Sequence, residues 1–110
     1  MGLPKSGKTC IREVVFKKKS PNELYQVQPT QVIEETGKFE FVNDSKVVKN
    51  NPYIQFAIKE YPGSKDLKEL TERDQANFRN CACLIYVIDA HEQNKDYACQ
   101  RLLDIIKVAF

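Results

Sequence analysis

The residues at the start of the chain constrain it more than any other stretch. Gly2 to Thr9, read as GLPKSGKT, satisfies the pattern G-x-x-x-x-G-K-[ST]. In such a loop the glycines let successive backbone N–H groups surround a phosphate, and the helix that follows points its positive end at the same anion. Lys8 then reaches the terminal phosphates and the Thr9 hydroxyl ligates Mg²⁺. The sequence therefore predicts a phosphate-binding loop.

The same residues also satisfy a second pattern. Met1-Gly2-x-x-x-Ser6 is a signal for N-myristoylation, with Gly2 as the lipid acceptor. That pattern is short and occurs in many unrelated sequences, and it requires Met1 to be the true start. The phosphate loop is longer, more specific and followed by an amphipathic helix pattern, so we favour it.

Size and composition set the class of protein. With 110 residues the chain forms one domain at most, and its 42% apolar and 29% charged residues are ordinary for a globular protein. The net charge of +2 is too small to indicate nucleic-acid binding. No apolar run is long enough to span a bilayer and no signal peptide is visible, so we expect no direct membrane insertion and a cytoplasmic setting.

The hydrophobic pattern predicts alternating helices and strands. Helical spacing is seen at 7–19, 65–78 and 97–110, and 20–31 is predicted to be a turn followed by a loop. Strand patterns occur at 31–35, continuing to 38–42, and at 53–58, with an exposed turn between them at 43–52. The near-continuous apolar run at 81–90 is typical of a strand buried on both faces of a parallel sheet. This order predicts a three-layer α/β unit.

One element of that unit is not in the sequence. A phosphate loop follows a buried strand, yet here the loop begins at Gly2. The expected fold is therefore an α/β P-loop NTPase three-layer sandwich, truncated, with the first strand and the C-terminal part missing and residues 1–110 forming one partial domain.

Several segments resemble the Rag-type small GTPases, specifically the C/D or Gtr-like subgroup. They are VVF in the first helix, SPNE directly after it, YPGSKD at 61–66 and FRNCACLIYVIDA at 78–90. Thr30 lies at the spacing of the family's switch I. The resemblance covers nearly the whole chain, with extra residues between about Thr36 and Asn51.

The resemblance implies that the sandwich is of the Ras-like type. It also implies a role for particular residues, with GTP or GDP and Mg²⁺ as cofactors. The phosphates would be bound by Pro4, Lys5, Ser6, Gly7, Lys8, Thr9 and Cys10. Thr9 and, in the GTP state, Thr30 would ligate Mg²⁺, and Glu60 would act on it indirectly. Gly63 would donate its N–H to the γ-phosphate.

The chain also departs from the family pattern. The D-x-x-G motif is Glu60-Tyr61-Pro62-Gly63, and Ser64 stands where glutamine orients the attacking water in many GTPases. No catalytic residue is assigned and hydrolysis is expected to be slow at best. Asn94-Lys95-Asp96 has the wrong spacing for a guanine-reading motif and is interpreted as a helix start. The residues alone do not show whether the bound nucleotide carries guanine or adenine.

Two functions of different class remain. The first, implied by the resemblance, is a nucleotide switch that pairs with an A/B-type Rag GTPase on the lysosomal or vacuolar surface and reports amino-acid supply to the target-of-rapamycin complex. The second is a non-catalytic pseudo-GTPase that only pairs with such a partner. A P-loop kinase or ATPase is less favoured, because nothing resembles a substrate site or lid.

Overall fold

The computed structural model describes residues 1–39 and 56–110, and the predicted turn at 43–52 lies outside them. The strands are β1 (Glu34–Phe39) and β2 (Phe56–Glu60). The α-helices are α1 (Lys8–Ile11), α2 (Glu72–Arg79) and α3 (Lys95–Ala109). A π-helical turn, Arg12–Phe16, continues α1, and short 3₁₀ turns occupy Pro21–Gln26 and Leu67–Glu69.

The helix predicted after the glycine loop is confirmed, but its second half is wider than an α-helix. Gly7 precedes it with φ 91°, a left-handed conformation that glycine adopts without steric cost. The helical segment ends at Lys17, and Lys18 has φ 58°. A π-helical turn shifts the residues after it around the helix axis. Arg12 and Glu13, at the start of this turn, are both buried.

The described sheet consists of β1 and β2, which pair antiparallel with Glu34 opposite Glu60 and Glu35 opposite Lys59. The register is irregular between Thr36 and Phe39. Both strands were predicted, but β1 begins at Glu34 and not at residue 31, and β2 continues to Glu60 and does not end at residue 58. The pairing matters for the site because it holds Glu60, the last residue of β2, beside the first residue of β1.

The strand predicted at 81–90 is wrong for this structure. Within this segment Val87 alone pairs, forming a parallel bridge with Gly2, and its N–H donates to the Met1 carbonyl at 2.9 Å. Ile85 and Ile88 are exposed. A strand of this kind needs neighbouring strands along its whole length. Among the described residues the segment meets only Met1 and Gly2 in this way, and they supply a single bridge. The described residues therefore do not form the three-layer sandwich that we expected.

Two other predictions need correction at their boundaries. The single helix predicted over 65–78 is divided, because Thr71 caps α2: its side chain accepts from the Asp74 N–H while Asp74 accepts from the Thr71 N–H. The segment predicted to be a turn and loop contains the 3₁₀ turn Pro21–Gln26, with proline in its first turn.

The core joins β2, α2 and α3. Tyr61 stacks on Phe78 with ring centroids 5.3 Å apart, and Ala109 packs beside them. The long helix α3 confirms the last helical prediction, and Asn94 caps it by accepting from the Tyr97 N–H at 3.0 Å. No helix within residues 1–39 and 56–110 is both long and apolar enough to cross a membrane.

Candidate nucleotide and magnesium site

The glycine-containing loop folds back on itself. Gly2 has φ 144°, Lys5 has φ 61° and Gly7 has φ 91°, so three residues of the loop have a positive φ. The Ser6 N–H donates to the Leu3 carbonyl at 3.3 Å. Pro4 and Lys5, at the tip, are exposed, whereas the residues from Ser6 to Cys10 are half-buried. Loops of this shape line up several N–H groups on one side, which is what an anion requires.

The Lys8 ammonium group lies inside this loop. Its Nζ donates to the carbonyl oxygens of Leu3 at 2.7 Å and Gly2 at 3.1 Å, and it lies 3.4 Å from the Ser6 hydroxyl. Burial lowers the Lys8 pKa, and the charge of Glu60 acts in the opposite direction. The ammonium is thus held within the loop by backbone carbonyl groups.

Three oxygen atoms from distant parts of the sequence meet beside the loop. The Thr9 hydroxyl donates to Glu60 Oε1 at 2.5 Å and the Thr30 hydroxyl donates to the same oxygen at 3.1 Å. The two hydroxyl oxygens are 2.9 Å apart. Thr9 follows the loop lysine, Thr30 precedes β1 and Glu60 ends β2. The structure therefore brings together the residues that the sequence analysis assigned to Mg²⁺.

The chemistry of these three atoms suits Mg²⁺. Magnesium prefers oxygen ligands at about 2.0–2.1 Å in an octahedron, which places neighbouring ligands about 2.9 Å apart. The two threonine hydroxyl oxygens, which the sequence assigned as direct ligands, are 2.9 Å apart. Among the residues that the structure describes, no group of three or more His, Cys, Asp or Glu side chains could hold a metal ion. The candidate magnesium position rests instead on the Thr9 and Thr30 hydroxyls, with Glu60 accepting hydrogen bonds from both.

Gly63 lies directly against the loop. A Cβ atom at this position would lie 2.3 Å from the Pro4 nitrogen and 2.5 Å from the Leu3 carbonyl carbon, both of which are backbone atoms. Only glycine permits so close an approach. The turn after β2 and the phosphate loop are therefore in van der Waals contact, as a residue that senses the terminal phosphate would need to be.

Behind the three oxygens lies a buried ion network centred on Arg12. Its Nη1 is 2.9 Å from Glu60 Oε2 and 2.5 Å from Glu34 Oε2, and its Nη2 donates to Glu13 Oε1 at 3.2 Å. Burial opposes the charged form of Arg12, but the hydrogen bond with Glu34 and the charges of Glu60 and Glu34 outweigh it, so the Arg12 pKa is raised. Arg12 thereby links the helix to both strands.

Glu13 extends the network toward the surface. Its carboxylate accepts from Lys17 at 2.7 Å and lies 2.5 Å from Lys19 Nζ. Hydrogen bonds from Lys17 and Lys19 lower the Glu13 pKa to about 2, despite the opposing effect of burial. The three acidic side chains of the network, including Glu34 and Glu60, are balanced by three basic ones.

A second polar cluster holds the turn that carries Gly63. The Tyr61 hydroxyl lies 3.4 Å from Asp74 Oδ1 and accepts from Asn77 Nδ2 at 3.3 Å. Lys65 donates to Asp74 Oδ2 at 3.1 Å, and its Nζ lies 5.9 Å from the centre of the Tyr61 ring. Burial raises the Tyr61 pKa. Residues on both sides of Gly63 are therefore fixed to α2.

Comparison with known proteins gives the family. Residues 1–110 match the model of the family described as "Gtr1/RagA G protein conserved region". The chain belongs to this family.

Several members are similar to the chain in detail. Ras-related GTP-binding protein C of Homo sapiens is 39% identical over 92 residues, covering 84% of this chain and 21% of that protein. Ras-related GTP-binding protein D of Mus musculus is 35% identical over 92 residues, covering 84% of this chain and 18% of that protein. GTP-binding protein gtr2 of Schizosaccharomyces pombe is 33% identical over 96 residues, covering 87% and 27% respectively.

Membership in this family implies a P-loop GTPase fold, of which the described residues form a part. The chain spans between 18% and 27% of the length of the relatives named above. These similarities confirm the resemblance to the Rag C/D and Gtr-like proteins that the sequence segments indicated.

The network behind the site was not predicted from the sequence. Arg12, Glu13 and Glu34 had no assigned role, because charged residues on a short helix usually face solvent. One signal was available: Arg12 lies four residues after Lys8 and three after Thr9, so the three share one face of a helix. The apolar side chains of Ile11 and Val15, on the same helical segment, are exposed although Arg12 is buried.

Proposed function

We propose that the chain is the nucleotide-binding part of a Rag C/D-like switch, which binds GTP or GDP with Mg²⁺. One observation carries the proposal. Thr9, Thr30 and Glu60 are separated by 21 and 30 residues in sequence, yet their oxygens lie within 3.1 Å of one another beside the loop lysine. Family membership supports guanine, which the residues alone left open.

Each predicted residue takes a defined part in this proposal. The backbone from Pro4 to Cys10 surrounds the phosphates, and Lys8 exchanges the Gly2 and Leu3 carbonyls for phosphate oxygens. The hydroxyls of Thr9 and Thr30 would hold Mg²⁺, and Glu60 would accept hydrogen bonds from these two hydroxyls. The ion would neutralise phosphate charge. Gly63 contacts the terminal phosphate from the side of the turn.

Hydrolysis is proposed to be weak. Ser64 is exposed, and its side chain is shorter than the glutamine that orients water in many GTPases. Both hydroxyls of the magnesium set donate to one oxygen of Glu60. The other oxygen of Glu60 is paired with Arg12, so we assign Glu60 no role as a general base.

The cellular proposal rests on the family resemblance. The chain would work as a heterodimer with an A/B-type Rag GTPase. The pair would be recruited from the cytoplasm to the lysosomal or vacuolar surface, where it signals amino-acid supply to the target-of-rapamycin complex through a lysosomal scaffold. Its similarity to Ras-related GTP-binding proteins C and D supports this subgroup over the A/B type.

The first experiment is a titration of the chain with fluorescent GDP and Mg²⁺, with GTP and ATP as separate competitors. Displacement by GTP but not by ATP is expected. Lys8→Ala should weaken binding about 10–100-fold, since it removes charge-assisted hydrogen bonds. Lys95→Ala, at the exposed start of α3, is the matched control and should bind normally. Unchanged GDP affinity in Lys8→Ala would refute the assignment.

One observation favours the second candidate, a non-catalytic pseudo-GTPase that pairs with an A/B-type partner. Lys8, Thr9 and Thr30 all have partners within the chain, so the site is satisfied without nucleotide. The titration separates the two candidates. A folded chain that binds neither GDP nor GTP, but forms a stable complex with an A/B-type protein, would establish the scaffold.

A further inference from the structure

The two oxygens of Glu60 have different partners. Oε1 accepts from the Thr9 and Thr30 hydroxyls at 2.5 and 3.1 Å, whereas Oε2 lies 2.9 Å from Arg12 Nη1. The side chains of both Arg12 and Glu60 are almost completely buried, with 7% and 5% exposed. No described residue donates a hydrogen bond of good geometry to Oε2. The charge of Arg12 is thus what holds this oxygen away from the threonines.

We propose that Arg12 is a positioning residue for the magnesium site: it draws one oxygen of Glu60 toward the helix so that only the other faces Thr9 and Thr30. This inference rests on the proposed function. It assigns a role to a residue outside the loop and outside the segments that carry Thr30 and Gly63, and it explains how glutamate serves where the family pattern has the shorter aspartate.

The reach of the side chain supports this role. Glutamate has one methylene more than aspartate, so a carboxylate at position 60 is long enough to contact Arg12 and the two hydroxyls together. Without an anchor the longer chain has more rotamers, and both of its oxygens are free to turn toward the cation. A fixed guanidinium restricts it to one orientation.

The guanidinium is itself fixed by other contacts. Arg12 meets Glu34 on β1 and Glu13 on its own helix, in addition to Glu60. A planar fork can hold several carboxylates in a set geometry, whereas a lysine ammonium acts as a single point charge on a flexible chain. Arg12→Lys therefore keeps the positive charge near the cation and removes only the geometry.

The test compares four chains: wild type, Arg12→Lys, Glu60→Asp and the double variant. The Mg²⁺ concentration that gives half-maximal fluorescent-GDP affinity is measured for each. Arg12→Lys should raise it about tenfold, as other residues that orient metal ligands do. Aspartate is too short to contact both sides, so the double variant should match Glu60→Asp. An equal effect of Arg12→Lys in both backgrounds would overturn the proposal.

Lys17→Ala is the control for a purely structural role. It disturbs the outer end of the same network without touching Arg12 or Glu60, because Lys17 pairs with Glu13. We expect it to lower the melting temperature and leave the Mg²⁺ requirement unchanged. If both Arg12→Lys and Lys17→Ala only lower the melting temperature, Arg12 is a structural residue and the proposal fails.

A second readout does not use nucleotide. Mn²⁺, as a paramagnetic substitute for Mg²⁺, should broaden the methyl signals of Thr9 and Thr30 in the nucleotide-free chain, and Arg12→Lys should require about tenfold more Mn²⁺. This broadening in a chain that binds no GDP would refute the proposed function and retain the Arg12 assignment. The Arg12 assignment itself would be refuted if wild type and Arg12→Lys required equal Mn²⁺ concentrations. It would also be refuted if wild type showed neither broadening nor GDP binding.

Discussion

Gly63→Ala tests the contact between the turn after β2 and the phosphate loop. The added Cβ atom would lie 2.3 Å from the Pro4 nitrogen, 2.5 Å from the Leu3 carbonyl carbon and 2.7 Å from the Pro4 Cα. All three are backbone atoms, so no side chain can rotate away to relieve the contact. The turn and the loop must separate instead.

The size of the effect follows from these distances. Ordinary van der Waals contact begins at 3.4 Å, so the two segments must move apart by about 1.1 Å at the closest point. Overpacking of this kind costs about 1–3 kcal/mol. Each kcal/mol lowers the melting temperature of a small domain by about 4–8 °C. Neighbouring Tyr61 is buried against Phe78, which prevents the turn from moving freely.

Thermal unfolding of Gly63→Ala should show this loss, with Ser64→Ala, at an exposed position, as the matched control. We expect a fall of at least about 4 °C for the first variant and less than about 2 °C for the second. Fluorescent-GDP affinity should fall in the same variant, since the loop shifts. A melting temperature and GDP affinity equal to wild type would show that Gly63 does not contact the loop.

Two further predictions concern the cap of α2 and the network around Glu13. Thr71→Ala removes the side chain that accepts from the Asp74 N–H, so the free energy of unfolding should fall by about 1 kcal/mol in urea titrations. Gln75→Ala, exposed on the same helix, should cost less than about 0.5 kcal/mol, and equal losses would contradict the cap. The Glu13 pKa is lowered from 4.5 to about 2, so its stabilising effect is complete above pH 4.5 and is lost as the pH falls through 2. The full shift corresponds to about 3 kcal/mol, which solvent around the half-exposed Lys17 and Lys19 reduces to about 1 kcal/mol. Wild type should therefore exceed Glu13→Gln in unfolding free energy at pH 6 by about that amount and approach it at pH 2; a difference independent of pH would refute the ionic contribution.

Local patterns predicted those parts of the chain that local interactions determine. The phosphate-loop motif gave the loop and the helix after it, because glycine backbone freedom and helix spacing are properties of adjacent residues. The final helix was predicted for the same reason. Thr71-x-x-Asp74 is a capping-box pattern readable from sequence, and attention to it would have divided the helix predicted over 65–78 correctly.

Predictions that depended on distant partners succeeded less well. The run at 81–90 has the composition of a buried strand, but strand formation requires neighbours, and Val87 bridges to Gly2 alone. The family resemblance assigned Thr30 and Glu60 to the magnesium site. The hydrophobic periodicity gave no indication that their side chains are in contact. Arg12 was missed because its burial depends on carboxylates 22 and 48 residues away, at Glu34 and Glu60.

The spacing of the three oxygens also determines how a ligand affects the whole chain. The contact between Thr9 and Glu60 closes a loop of the polypeptide with a sequence separation of 51 residues, and the loss of conformational entropy on closure is part of the cost of folding. A cation or nucleotide that binds these atoms favours the closed chain in proportion to its concentration over its dissociation constant. Filling the site and folding the polypeptide are thus coupled steps of one equilibrium.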